Sequence, residues 1–221
     1  MQRLVLFDLD NTLIDRQGAL AEWAAGFCRG RMLDGRAEEH LVHALKERAY
    51  PATFERLRQE LALDEPATKL WEDYVTGIAS GVAPQPDTFK GLEQLRAGGW
   101  RLGILTNGAI DIQHAKIAAA GLAESVDAIV ISEEIGARKP EIEAFHVAVA
   151  RCGGTPWGEA WTVGDNAEND IRGGRSAGLK TIWISQGRPW PDHLDPPDHA
   201  VPDVFSAINL LQSTVRTRTA S

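Results

Sequence analysis

Five short apolar runs, each leading into polar or glycine-rich sequence, constrain the fold of this chain more than any other feature. They are Leu4-Val5-Leu6-Phe7, Leu102-Gly103-Ile104-Leu105, Ala128-Ile129-Val130-Ile131, Ala160-Trp161-Thr162-Val163 and Thr181-Ile182-Trp183-Ile184. Runs this short and this continuously apolar read as strands covered on both faces, the pattern of a parallel sheet. Helical spacing fills the gaps: Phe89, Leu92 and Leu95 within 88–97, Ile112 and Ile117 within 110–120, and Ile142, Phe145 and Val149 within 141–151. Gly121 stands where a helix C-cap glycine belongs, Gly153-Gly154 forms a stop, and Pro140 stands where an N1 proline would. Strand and helix alternating in this rhythm predict a doubly wound, Rossmann-like α/β domain with a parallel sheet.

Residues 15–86 break the rhythm. They contain no apolar strand run but show helical spacing throughout: Leu20, Trp23, Ala24 and Phe27, then Leu41, Leu45 and Tyr50, then Phe54, Leu57 and Leu61, then Leu70, Trp71 and Val75. Pro84-Gln85-Pro86 reads as a linker back. We therefore expect a core of residues 1–14 and 87–221 carrying an all-helical insertion at 15–86. Residues 185–202 read as loop, 204–211 as a last short helix and 214–221 as a polar tail that frays.

The net charge of -8 disfavours nucleic acid and anionic membranes as partners. It also means that a phosphate-handling site must supply its own local positive charge. Cys28 and Cys152 form no CxxC and read as free thiols of a reducing compartment. No segment has the ~20 apolar residues of a membrane span, and the apolar run near Met1 is too short for a signal peptide, so a cytoplasmic location is expected.

Four segments carry candidate chemistry, each just after an expected strand or in the loop after one. In an open parallel sheet those strand ends face one crevice. Asp8 and Asp10 follow the first run; just past a strand end both can reach one site, although alone the pair is equally a solvated turn. Thr106-Asn107-Gly108 offers a hydroxyl, an amide and a flexible backbone to phosphate oxygens, or is a plain turn. Lys139 precedes a helix N-terminus, an unfavourable place for a cation unless it points at something negative. Asp165, Glu168 and Asp170 add carboxylates near a strand edge; oxygen donors without His or Cys favour Mg²⁺ over Zn²⁺. There Asp165 or Asn166 could instead cap the helix from Glu168.

In this order the four segments resemble the signature motifs of the haloacid dehalogenase-like hydrolase superfamily. Asp8 to Leu13 matches Asp-x-Asp-x-Thr-Leu, Thr106 the strand-terminal Ser or Thr, Lys139-Pro140 the lysine motif, and Gly164, Asp165 and Asp170 the motif Gly-Asp-x-x-x-x-Asp. The resemblance implies that Asp8 attacks phosphorus, that Asp10 serves as general acid and base, and that Thr106, with the Asn107 backbone, holds phosphate oxygens. It implies that Lys139 balances charge, that Asp8, the Asp10 carbonyl and Asp165 hold Mg²⁺, and that Asp170 binds a metal-bound water or orients Lys139. Acting as an acid near neutral pH, Asp10 should have a raised pKa. Asp10 also favours phosphatase over dehalogenase, because a halide leaving group needs no acid. The insertion looks like the family's helical cap, which implies a small phosphorylated metabolite, of the nucleotide or sugar phosphate class, as substrate.

A sugar phosphomutase on the same scaffold and a phosphate-binding regulator without turnover remain open. Arg16 could face the cleft and touch substrate. His40 and His43 read as a helix face, and the string from Asp192 to His199 as a solvated loop. Trp23 and Trp71 are candidate exceptions to a purely structural role for tryptophan. No P-loop or GxGxxG follows a strand, so no nucleotide cofactor is indicated. The chain could be a monomer or a homodimer.

Overall fold

A computed structural model describes residues 3–47, 49–154 and 159–218. The five apolar runs become β1 (Arg3–Phe7), β2 (Trp100–Thr106), β3 (Ala128–Ile131), β4 (Ala160–Gly164) and β5 (Lys180–Ile184). With β6 (His199–Val201) they form one parallel sheet in the order β3-β2-β1-β4-β5-β6. The chain order reverses between β1 and β4, so the crevice beyond the C-terminal ends of these two strands is the sheet's switch point.

Both faces of the sheet are covered, as the continuous apolar runs require. Successive residues of β1 point to opposite faces. Val5 and Phe7 join Leu92 and Leu95 of α5 (Thr88–Ala97), Ile112 and Ile117 of α6 (Ile110–Ala119), and Ile208 and Leu211 of α10 (Val204–Arg218). Leu4 and Leu6 join Phe145, Ala148 and Val149 of α8 (Ile142–Arg151) on the other face. The short α7 (Ser132–Ile135) and α9 (Gly173–Ser176) complete the layers.

Residues 15–86 form α1 (Arg16–Arg31), α2 (Gly35–Leu45), α3 (Pro51–Glu60) and α4 (Ala67–Gly81). Local chemistry starts each of the first three. Asp15 caps α1 by accepting from Gly18 N, Asp34 caps α2 by accepting from Arg36 N and Ala37 N, and Pro51 opens α3. An aromatic cluster of Trp23, Phe27, Phe54, Trp71 and Tyr74 packs them, with Phe54 and Tyr74 fully buried. The chain leaves and re-enters the sheet domain side by side: Ile14 bridges Pro84, and Gln85 N donates to Leu13 O at 2.9 Å. The buried cluster runs without a break from Tyr74 and Ile78 through Ile14 to Phe7.

Four local expectations are corrected. The loop at 185–202 contains β6, an edge strand of three residues whose first two are exposed, too short to show a period. Asp198 anchors its start by accepting from Thr181 N and Thr181 Oγ1. The final helix extends to Arg218 instead of stopping at Leu211, so the tail expected to fray is helical over 214–218; residues 219–221 lie outside the described residues. Pro140 precedes the N-cap Glu141 of α8 and is not its N1 residue. The Asp192 to His199 string is partly engaged: His199 stacks on Trp161, and His193 lies 3.7 Å from Glu168.

Candidate active site

Asp8 is the first residue beyond β1, and its N–H donates to Val163 O at 2.9 Å, which keeps it in the ladder beside β4. Its Oδ1 lies 2.6 Å from Lys139 Nζ, and the same ammonium lies 2.6 Å from Asp170 Oδ1. Lys139 thus points at two carboxylates, which answers its awkward place before a helix. Its backbone is held from both sides by Asn107: Lys139 N donates to Asn107 Oδ1, and Asn107 Nδ2 donates to Lys139 O, each at 2.9 Å. The Asn107 amide expected to face phosphate is therefore spent on positioning Lys139.

Asp165 and Asp170 come from the loop after β4. Asn166, and not Asp165, caps the following π-helical turn (Ala167–Arg172) by accepting from Glu168 N and Asn169 N. The Asp165 carboxylate is thus not spent on capping and faces the site, where Arg188 donates to its Oδ2 at 3.0 Å. Asp8, Asp165 and Asp170 offer oxygens that all lie within 4.8 Å of one another.

The charge balance of this group is short of cations. Burial pushes the Asp8 carboxyl up; Lys139 opposes this, the charges of Asp170, Asp165 and Asp10 reinforce it, and the result is about 8. Burial and Asp170 push Asp165 up to about 6 against Arg188 and Lys139. Burial works against the Lys139 ammonium, but Asp170 and Asp8 overcome it and hold the lysine protonated above its ordinary value. Three carboxylates against Lys139 and Arg188, with no imidazole or thiolate ligand among the described residues, fit a hard divalent cation.

Asp10 departs from expectation. Both of its oxygens are held by Lys116 Nζ, at 2.6 and 2.7 Å, and Gln113 Nε2 lies 3.3 Å from Oδ2. Burial pushes the Asp10 carboxyl up, but the charges of Lys116 and Arg16 and the hydrogen bonds of Lys116 and Gln113 prevail, and it ionises more readily than an ordinary aspartate. The raised pKa expected of a resting acid is corrected accordingly. Thr106 is fully buried, and its Oγ1 accepts from Gln113 Nε2 at 2.7 Å.

Arg16 is also buried. It donates to Lys46 O and Leu45 O at 2.6 Å and to Tyr74 Oη at 3.1 Å, so it ties down the end of α2 while lining the cleft. The cleft is a cavity of about 330 Å³ between the strand ends and the insertion, and Asp8, Asp10, Lys139, Asp165 and Asp170 all line it. Its walls also carry Arg16, Lys46, Lys116 and Arg188, which together with Lys139 only match the carboxylates of Asp8, Asp10, Glu47, Asp165 and Asp170.

The haloacid dehalogenase-like hydrolase model matches residues 5–184, from β1 to the end of β5. The chain belongs to that family. Among curated relatives, this hydrolase is 38% identical over 121 residues to phosphoserine phosphatase of Thermus thermophilus, a match covering 55% of this chain and 47% of that protein. The chain thus spans about half the length of that relative. It is 33% identical over 217 residues to glyceraldehyde 3-phosphate phosphatase of Methanopyrus kandleri, covering 92% of each. Among solved structures, 2-haloacid dehalogenase from Pseudomonas syringae pv. Tomato DC3000 shares the fold at a TM-score of 0.70 and 25% identity, covering 96% of this chain and 99% of that one.

Three residues that line the cavity and bind its carboxylates escaped the sequence reading: Lys116, Gln113 and Arg188. The first two carried a signal. Ile112, Gln113, Lys116 and Ile117 share the buried face of α6, and a glutamine and a lysine on an apolar face ask for buried partners. Arg188 lies in the loop after β5, where no period marks it; its guanidinium donates to Asp165 O at 2.9 Å and to Asp165 Oδ2 at 3.0 Å. Among the described residues no helix is long and apolar enough to cross a membrane.

Proposed function

We propose that this hydrolase is a Mg²⁺-dependent phosphatase acting on small phosphate monoesters. The observation that carries the reading is the convergence of Asp8, Asp10, Lys139, Asp165 and Asp170 on one cavity at the switch point of the sheet. In this reading residues 1–14 and 87–221 form the catalytic core, and 15–86 form a cap over it.

Asp8 is the nucleophile. Its Oδ1 is engaged by Lys139, while no hydrogen-bond partner holds Oδ2 among the described residues. A carboxylate oxygen of Asp8 forms a bond to phosphorus as the ester P–O bond breaks, giving an aspartyl-phosphate and an alcohol. Asp10 gives the leaving oxygen its proton. Water then attacks the aspartyl-phosphate, Asp10 takes the proton, phosphate leaves and Asp8 is restored. The ionised Asp10 of this structure suits the second half-reaction; the first requires it to take up a proton when substrate binds.

Lys139 lowers the repulsion between the Asp8 carboxylate and the phosphate. The Thr106 hydroxyl, which still has a proton to donate, and the Asn107 backbone hold phosphate oxygens. Asp8, Asp165 and the Asp10 carbonyl would hold Mg²⁺, with Asp170 orienting Lys139; the ion would supply charge neutralisation at the phosphoryl group. Among the readings open to the family, the second aspartate favours ester hydrolysis over dehalogenation. The curated relatives named above, both phosphatases of small metabolites, support the same choice.

The cavity volume of about 330 Å³ suits a substrate of metabolite size. The test is phosphate release from a panel of phosphorylated metabolites, sugar phosphates and nucleotides among them, with Mg²⁺ present. Turnover is expected with at least one monoester, and Asp8→Asn should abolish it. Absence of release across the panel would overturn the reading, and sugar phosphate isomerisation without net release would replace it with a mutase.

A further inference from the structure

The pairing of Asp10 with Lys116 joins residues 106 positions apart, and neither the hydrolytic chemistry above nor the family motifs assign Lys116 a task. Lys116 is 2% exposed, reaches Asp10 from α6 at the cavity wall, and places one ammonium within 2.7 Å of both carboxylate oxygens. One helical turn earlier, Gln113 lies on the same face. Its single amide nitrogen reaches Asp10 Oδ2 at 3.3 Å, Thr106 Oγ1 at 2.7 Å and Asn107 O at 2.8 Å. The Asp10 carboxylate is thereby registered to the end of β2, where the Thr106 hydroxyl stands.

Stability alone is weak ground for this arrangement. A buried ion pair is often no better for stability than apolar side chains of the same volume, because desolvating two charges offsets their attraction. Without Lys116, Asp10 keeps only the 3.3 Å contact from Gln113 Nε2 as a side-chain hydrogen bond among the described residues and is free to rotate about its two side-chain bonds. Proton transfer needs the acid within about 2.6–3.2 Å of the reacting oxygen.

We propose that Lys116, assisted by Gln113, is the positioning residue for Asp10: it holds the second aspartate beside the nucleophile in one orientation, at the cavity wall, where a leaving oxygen and a hydrolytic water come within reach. The proposal rests on the phosphatase reading. Its signature is dependence on the leaving group, because Asp10 matters most when the departing oxygen must be protonated.

The test uses Lys116→Met, close in length and apolar, with p-nitrophenyl phosphate and phenyl phosphate, aryl esters whose leaving groups differ in acidity, as probes, and compares the variant with the wild type on each ester. kcat/KM reports only the steps up to the first irreversible one, so it isolates ester cleavage. General acid catalysis contributes about 10²–10⁴, and we expect phenyl phosphate to lose about tenfold more than p-nitrophenyl phosphate. In an Asp10→Asn background the same substitution should cause no further loss. Equal loss with both esters, no loss, or a loss that persists without Asp10 would each overturn the proposal. If Lys116→Met does not fold, as judged by circular dichroism, Lys116→Gln carries the same comparison. A wild type that releases phosphate from no ester overturns the phosphatase reading and this proposal together; an active wild type with a uniform loss in the variant overturns this proposal alone.

Discussion

Gly164, the last residue of β4, is where one added carbon should do most damage. A Cβ built there would lie 2.2 Å from Asp170 Oδ2, 2.3 Å from Asp170 Cγ and 2.6 Å from Asp170 Cβ. The clash reaches the Cβ of Asp170, so swinging the carboxylate tip does not relieve it; the whole side chain must leave. Asp170 then releases Lys139, now 2.6 Å away, and the Asn166 N–H that it accepts at 3.0 Å. Separating a buried charged pair costs about 3–5 kcal/mol, and the lost hydrogen bond about 1 kcal/mol more. Asp8 still holds Lys139, which returns part of this, so Gly164→Ala should cost about 4 kcal/mol. For a chain of this length each kcal/mol lowers the melting temperature by roughly 2–4 °C, giving a drop of about 12 °C. Thermal unfolding followed by circular dichroism measures it. The decisive arm is a double-mutant cycle: in an Asp170→Gly background, with no side chain left to displace, Gly164→Ala should cost at most about 1 kcal/mol. Additive losses in the cycle would refute the reasoning.

Four further outcomes are expected. Gly26, exposed in the middle of α1 with nothing nearer a new Cβ than Arg29 at 3.9 Å, should tolerate Gly26→Ala with a gain of about 0.5–1 kcal/mol, read as a raised urea midpoint. Phe54→Ala empties the centre of the aromatic cluster and should cost about 3–5 kcal/mol by the same measurement. Asp165→Asn removes one of the three clustered carboxylates and should raise the Mg²⁺ concentration giving half-maximal phosphate release by about tenfold, while chelation with EDTA stops release altogether. Burial pushes the Cys152 thiol up to about 12, so at pH 8 only about one thiol in ten thousand is ionised. A thiol-specific disulfide reagent should label Cys152 only on unfolding. The sign for stability follows: the native state binds the proton more tightly than the unfolded chain, so the contribution is complete below the ordinary thiol value and falls as pH rises through it towards 12.

The parts of the fold legible in the sequence are those set by neighbours in the chain. Four-residue apolar runs gave β1 to β5, because a strand covered on both faces needs no polar alternation. Helical spacing of apolar residues marked the helices of 15–86; the caps Asp15 and Asp34 and the opening Pro51, which fix where α1 to α3 start, came only with the structure. The edge strand β6 escaped because pairing with β5 and the Asp198 anchor on Thr181 define it, and neither leaves a period in three residues. The site divides in the same way. The acids at strand ends could be found because sheet topology brings strand ends together. What those acids do could not be read so directly, since their protonation depends on partners far away in sequence. Two carboxylates separated by one residue end in opposite states: Asp8, among acids, is pushed towards its neutral form, while Asp10, facing Lys116, is held ionised. The motif is the same for both residues; the difference comes from which face of α6 carries its one buried lysine.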